Sequence, residues 1–352
     1  MKRHNNLFDK IVDKDNLLLA YKKAKKHKNW QQKVIRVEKD LDNLIEGLRL
    51  SLINGTYKTA EYRTKKIYEP KERTIYVLPF YPDRIVHHAI MNILEPIWDN
   101  LFISDSYACR NGKGQHKGSQ KCMEFVRKNK YCLKCDISKF YPSINHEILK
   151  LIIRKKIKCK RTLNLLDTII DSIDGETNIP IGNYLSQWFG NLYLNELDMF
   201  MKHDNKIKCY IRYCDDFLLF SNDKALLKEM AIKIKDYVEN ILKLRLSKCN
   251  LFPTSQGIDF LGYRHFSSGY ILVRKTTAKR VLNKEIKVLA FQVKKSKIEK
   301  DGFYIQMQIE VDDERKVLFT NSSVLKDQLE KYKDNLPFIT TIIQPKKYFS
   351  FS

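Results

Sequence analysis

The sequence predicts an α+β fold. Three observations carry it: helical periodicity through a basic N-terminal third, short apolar strands clustered between residues 131 and 270, and turn signals separating them. DNLLLAYKKAKKHKNW and VEKDLDNLIEGLRLSLING space their apolar residues as helices do, and the second stops at Asn54-Gly55. YRTKKIYEPKERTIYVLPF, marked by Pro70 and Pro79, alternates apolar with basic residues, so a hairpin of cationic strands is expected. DRIVHHAIMNILEPIWDNLF returns to helix, with Ile85, Val86, Ala89, Ile90, Ile93, Leu94 and Ile97 on one face. His87 and His88 lie in that helix and are expected to pack rather than to bind metal.

KYCLKCDISKFYPSI reads as a strand with Asp136 at its end, running into a turn broken by Pro142. A helix carrying Leu185, Trp188, Phe189, Leu192 and Tyr193 follows Gly182. IKCYIRYCDDFLLFS is expected to be two strands joined by a tight turn centred on Asp215 and Asp216, with the amphipathic helix KALLKEMAIKIKDYVENIL behind it. LKLRLSKCNLF and IDFLGYRHF are short strands. From about Thr276 the pattern predicts a basic helix, then an acidic-basic strand pair, then a last helix near SSVLKDQLEKY. The divisions expected are 1–130, 131–270 and 271–352.

The chain has 352 residues, 43% of them hydrophobic, enough to bury a sizeable core in two or three subdomains. Lys and Arg number 65 against 41 Asp and Glu, a formal net charge of +24. So large an excess repels itself in a compact chain and points to a polyanionic partner, with nucleic acid as the first candidate. No apolar run approaches the roughly 18 residues of a spanning helix, and MKRHNNLFDK lacks a signal-peptide core, so no membrane partner and a cytoplasmic setting are expected. The eight cysteines are then reduced thiols. Cys132-Leu-Lys-Cys135 has zinc half-site spacing, but a strand would send the two sulfurs to opposite faces and no second CxxC completes a site.

Asp215 and Asp216 repel each other and are poor strand formers, yet they stand between IKCYIRY and FLLFS. A turn explains their tolerance and leaves Asp136 unexplained. If the strands bearing Asp136 and the Asp pair are neighbours, three carboxylates meet at one sheet edge and form an anionic hole suited to divalent cations. Oxygen-only ligands favour Mg2+ over zinc, with Mn2+ as a substitute. Two such ions about 4 Å apart activate an attacking hydroxyl and stabilise a leaving pyrophosphate, giving a phosphodiester product.

YCDDF between apolar strands resembles the palm motif of reverse transcriptases, and further stretches resemble that family's other motifs in order. KERTIYVLPFYPDRIVHHAI is similar to the fingers strands and following helix, and CDISKFYPSI to the first palm motif. IPIGNYLSQWFGNLYL is similar to the template-and-nucleotide helix, and LRLSKC and FLGYR to the last two palm motifs. The resemblance covers Asn5 to Lys279. It implies a right-hand polymerase fold: N-terminal helices and fingers in 1–130, an antiparallel-sheet palm in 131–270 whose catalytic motifs lie in 131–150 and 207–222, and a reduced or divergent thumb in 271–352.

Within that family, SDSYACRNGKGQHKG, the fingers stretch and IGNYLSQ, where group II intron and retroviral enzymes place a QG pair, are most similar to diversity-generating retroelement enzymes. Those copy a repeat-derived RNA with adenine-directed errors and work with a small basic accessory protein. Antiphage defence and retron enzymes, which copy a dedicated noncoding RNA and can act with a second defence protein, share the same core motifs. The resemblance implies that Asp136, Asp215, Asp216 and the Ile137 carbonyl hold both metals. Tyr141 would exclude a 2′-hydroxyl, Lys71 and Arg73 would clamp the dNTP triphosphate, Gln187 would face the templating base, and Lys248 would protonate pyrophosphate. Phe260, Leu261, Gly262 and Tyr263 would grip the primer end, while Arg110, Lys113 and Lys117 form a cationic loop following the template. KKAKKHK adds further phosphate contacts. The products expected are cDNA from template RNA; a catalytically idle RNA-binding scaffold is the rival class.

Overall fold

A computed structural model describes residues 3–68, 72–273, 285–295, 303–311, 314–320, 322–343 and 350–351. Two compact units emerge, and each is interleaved in sequence. The first comprises Met1–Gly114, Cys135–Phe217 and Glu229–Cys249; the second comprises Gln115–Lys134, Leu218–Lys228 and Asn250–Ser352.

The first unit opens with helices α1 (Phe8–Ile11), α2 (Lys14–Lys25), α3 (Gln32–Lys39) and α4 (Leu41–Ile53). Asp13 caps α2 by accepting from the amides of Asp15 and Asn16. The sequence suggested one helix across VEKDLDNLIEGLRLSLING; the structure breaks it at Asp40, whose φ of −135° lies outside the helical well. Asn54 and a left-handed Gly55 (φ +69°) end α4 where the Asn-Gly signal placed the stop. Strands β1 (Arg63–Ile67) and β2 (Arg73–Val77) pair antiparallel with Arg63 opposite Val77 and Ile67 opposite Arg73, forming the expected cationic hairpin. Helix α5 (Ile85–Asp99) buries Ile85, Val86, Ala89, Ile90 and Leu94 against α2, with the Asn16 side chain donating to the Ala89 carbonyl. His87 is buried, and His88 stacks on Tyr184 at 4.4 Å, so both histidines pack as expected.

Helix α6 (Gln115–Lys128) precedes β3 (Tyr131–Ile137). After β3, left-handed Lys139 (φ +44°) turns the chain into the single-turn α7 (Phe140–Ser143). Pro142 therefore sits inside a helical turn instead of breaking one; a proline in a first turn forfeits no helical hydrogen bond. Helices α8 (His146–Arg154), α9 (Lys160–Ile170) and α10 (Tyr184–Met199) follow. Nearly all of α10 is buried, from Leu185 through Asp198, which makes it the core helix of this unit. The next strands are β4 (Tyr210–Tyr213) and β5 (Asp216–Ser221), then helix α11 (Lys224–Asp236) and β6 (Leu246–Pro253). The four-stranded sheet runs in the order β4-β5-β3-β6, so β3 and β5 are neighbours.

In the second unit, β7 (Ile258–Phe260), β8 (Tyr263–His265) and β9 (Ile271–Val273) form a three-stranded antiparallel sheet. α6 lies against it, with Ser119 and His265 hydrogen-bonded at 2.8 Å. A five-stranded sheet follows in the order β12-β11-β10-β13-β14, built from β10 (Glu285–Lys295), β11 (Phe303–Val311), β12 (Glu314–Thr320), β13 (Phe338–Ile343) and β14 (Ser350–Phe351). Alternation along β11 buries Ile305, Met307, Ile309 and Val311 against Leu325 and Leu329 of α12 (Ser323–Lys331). Each such side chain contributes about 1.5–3 kcal/mol of burial. The acidic-basic strand pair is β11–β12, and the last helix is α12. The basic helix from Thr276 is not found at 285–295, which forms β10 with alternating burial; residues 274–284 lie outside the described set.

Candidate active site

All the carboxylates singled out belong to the first unit. Asp136 is the penultimate residue of β3 and Ile137 the last. Ser247 on β6 donates its Oγ to Asp136 Oδ2, and also lies 3.1 Å from the Asp136 carbonyl. Ser138 N donates to the Arg245 carbonyl at 2.8 Å, continuing the β3–β6 connection past the strand end. Cys135 has its thiol 3.4 Å from that of Cys249, and Cys132 is buried. Exposed Lys248 follows Ser247.

Tyr141 is held from two sides. Its carbonyl accepts from Ile179 N at 2.9 Å, and its ring rests on Gly190 of α10, where an added Cβ would stand 3.1 Å from the ring and 3.3 Å from the hydroxyl. Burial pushes the Tyr141 hydroxyl pKa up, and Cys214, Cys109 and Asp215 beside it push it further. Gly190 under Tyr141 and Asn191, which accepts from the Arg212 that holds the Cys214 carbonyl, are adjacent on α10, so both turns lie beside that helix.

The β4–β5 turn differs by one residue from the expectation. Cys214 and Asp215 form it, with Cys214 left-handed at φ +53°, while Asp216 is already the first residue of β5. Beneath the turn, Arg212 is fully buried and donates to Asp198, Asn191 and the Cys214 carbonyl.

The connector before α10 lies against strand β2. Tyr76 N on β2 donates to the Ile181 carbonyl at 2.7 Å, and Asn178 donates to the Tyr76 hydroxyl at 3.3 Å. Gly182, at φ +115°, admits this approach, since a Cβ there would lie 2.7 Å from the Tyr76 carbonyl. Arg73 opens β2 and is exposed; Lys71 lies outside the described residues. Gln187 is exposed in the second turn of α10, between buried Ser186 and Trp188, so its amide points away from the core.

The template candidates fare differently. Arg110 is 7% exposed and donates to Asp99 and to the carbonyls of Asp99, Ile103 and Ser106. Its guanidinium shapes the loop and is not a free cation for phosphate. Lys113 likewise donates to the Ser104 carbonyl at 2.6 Å. In KKAKKHK, Lys25 pairs with Glu38 at 2.6 Å and Lys23 with Asn92. In the second unit, Lys117 is exposed on α6. There Phe260 and Tyr263 are buried opposite each other across the β7–β8 hairpin, whose turn is Leu261 (φ +53°) and Gly262 (φ +83°), and Gln115 donates to the Leu261 carbonyl.

Residues 64–265 match the family model described as reverse transcriptase (RNA-dependent DNA polymerase). The chain belongs to the reverse transcriptase family. Its fold is thus the α+β right-hand polymerase fold, with helical and antiparallel-sheet elements. Residues 273–352 match a domain of unknown function. Protein YkfC of Escherichia coli is 26% identical, with 62% of this chain and 70% of that protein covered. The group II intron-encoded protein LtrA of Lactococcus lactis is 24% identical over 70% of this chain, which spans 54% of LtrA. Among solved structures, apo telomerase from Candida tropicalis truncated from its C-terminal domain matches at 13% identity and a TM-score of 0.47, covering 65% of this chain and 59% of that one.

Members of the reverse transcriptase family use divalent metals, and the donors available here suit that use. The expected donors are hard oxygens: the carboxylates of Asp136, Asp215 and Asp216 and the Ile137 carbonyl. Among the described residues no three His, Cys, Asp or Glu side chains form a metal-holding group, so the expected gathering of three carboxylates in one hole is not found. Nor, among those residues, is any helix long and apolar enough to cross a membrane. Sequence reading missed Ser247, Asn191, Asp198 and the packing role of Gly190. Arg212 inside the apolar run YIRY was the visible signal, because a cation on a buried strand requires a buried partner.

Proposed function

We propose that this member of the reverse transcriptase family synthesises cDNA on a dedicated RNA template. The observation that carries the reading is that β3, which ends at Asp136, pairs beside β5, while the Tyr141 ring lies on Gly190 and the Cys214 carbonyl is tied through Arg212 to Asn191, the next residue of α10. Two Mg2+ ions bound there would activate the primer hydroxyl and stabilise the leaving pyrophosphate. Asp136, Asp215 and the Ile137 carbonyl would hold them, with Asp216 close by. Ser247 fixes the Asp136 carboxylate by donating to one of its oxygens. Tyr141, wedged on Gly190, would exclude a ribose 2′-hydroxyl and so select dNTPs. Arg73, with Lys71, would clamp the triphosphate, and Lys248 would supply a proton to pyrophosphate. Gln187 would meet the nascent pair, Lys117 the template backbone, and the Leu261–Gly262 turn the primer.

IGNYLSQ favours the diversity-generating retroelement type, with a repeat-derived template and a small basic accessory protein. The defence or retron type is the second reading, since the shared core motifs serve both. Purified protein given primed RNA, dNTPs and Mg2+ should extend the primer. Sequencing that cDNA separates the two types: frequent misincorporation opposite template adenines supports diversification, and uniform fidelity supports a defence or retron role. Absence of extension on any primed RNA supports the idle scaffold.

A further inference from the structure

We infer that Arg212, held by Asp198 and Asn191, is the positioning residue of the metal-binding turn. The inference rests on the reverse-transcription reading and assigns a role to residues that touch neither substrate nor metal. Arg212 and Asp198 are both wholly buried. The guanidinium donates Nε to Asp198 Oδ1 at 2.7 Å and Nη2 to Oδ2 at 2.6 Å, a bidentate fork that fixes the plane of the group. Asp198 is fixed in turn by the Tyr210 hydroxyl at 2.7 Å. With the plane set, Nη1 has two remaining directions: it donates to Asn191 Oδ1 at 3.2 Å and to the Cys214 carbonyl at 3.0 Å. Asn191 is itself anchored through Nδ2 to the Ala108 carbonyl at 2.9 Å.

Cys214 needs such a hold. Its φ of +53° is a conformation that a side chain disfavours, and such a residue stays there only when its surroundings determine it. Its carbonyl is the atom directly before Asp215, so a fixed carbonyl fixes the peptide plane from which Asp215 departs. Main-chain bonds brace the same strand: Arg212 N donates to the Asp105 carbonyl at 3.0 Å and Tyr107 N to the Arg212 carbonyl at 3.0 Å. A buried ion pair adds little stability over well-packed apolar residues of the same volume. What the fork supplies here is direction. A lysine carries the charge but cannot hold two carboxylate oxygens and a carbonyl in one plane.

Two variants test this: Arg212→Lys, and the triple replacement Asp198→Leu, Tyr210→Phe, Arg212→Met, which removes the pair together with the hydroxyl that would otherwise be orphaned. For each, thermal melting, amide exchange across residues 213–217, Mn2+ binding by electron paramagnetic resonance without nucleic acid, and steady-state extension are measured. The triple variant should melt within about 10 °C of the parent, since apolar replacement of the pair costs little but Asn191 Oδ1 and the Cys214 carbonyl lose their donor. Exchange across the turn should quicken at least about 10-fold. In both variants Mn2+ affinity should fall about 10-fold or more, and kcat at least about 100-fold while KM for dNTP stays within about 3-fold. A folded variant with parental exchange and Mn2+ affinity overturns the inference. So does a triple variant that cannot fold, because the network would then be a requirement of folding. Parent protein that binds Mn2+ but extends no primer defeats the polymerase reading instead, leaving the exchange and Mn2+ results to judge the turn.

Discussion

Asp136 accepts a hydrogen bond from Ser247, a residue 111 positions away in the chain. Replacing Ser247 by alanine removes one hydroxyl from an exposed position, so stability should barely change. The carboxylate should lose its fixed rotamer; at about 1 kcal/mol for the bond, kcat should fall roughly 5-fold, read by steady-state extension. Residues of this kind show how far the sequence could be read. Asp136 and Asp215 were legible because carboxylates beside apolar runs conflict with strand propensity and so announce themselves. Ser247 was not, because a serine on an exposed strand edge conflicts with nothing. Arg110 misled for the opposite reason: a cation between glycines looks available, and only its neighbours reveal that Asp99 and three carbonyls already hold it.

The connector before α10 holds strand β2 through the bond from Tyr76 N to the Ile181 carbonyl. Gly182→Ala places a Cβ 2.7 Å from the Tyr76 carbonyl at a φ of +115°, so β2 must shift. The expected outcome is a loss of about 1–3 kcal/mol in stability, seen as a lower melting temperature, and a raised KM for dNTP as Arg73 moves with the hairpin. Helices α5 and α10 and the β1–β2 hairpin were legible because each has one clear period. The break at Asp40 was not, since helical spacing runs unbroken across it and only the backbone angle records the change. The strand β10 contains VLAFQV, an apolar run that suits a buried helix as well as a strand. Its partners β11 and β13 decide the outcome through long-range pairing that no local window contains.

The net charge of +24 predicts RNA binding that weakens with salt. With five or more phosphates neutralised, the slope of log affinity against log salt should be about −3.5 or steeper on a single strand. Filter binding from low to physiological salt measures it. The fully buried His87 makes stability depend on pH: burial first, with His88 and Arg84 nearby, lowers its pKa to about 3. The unfolded chain holds that proton below about pH 6.5 while the folded chain refuses it until about pH 3, so stability falls as pH drops through this window. Each such histidine contributes up to about 1.4 kcal/mol per pH unit, and His88, lowered by burial to about 4, acts in the same window, so His87→Leu should remove about half of the slope in melts recorded between pH 7 and pH 5.

Primer extension by the Asp215→Asn, Asp216→Asn double variant, on primed RNA with dNTPs and Mg2+, bears most directly on the account. It predicts synthesis by the parent and a loss of at least about 1,000-fold in the variant, with melting temperature and RNA affinity retained. Synthesis by the variant at the parental rate would contradict it.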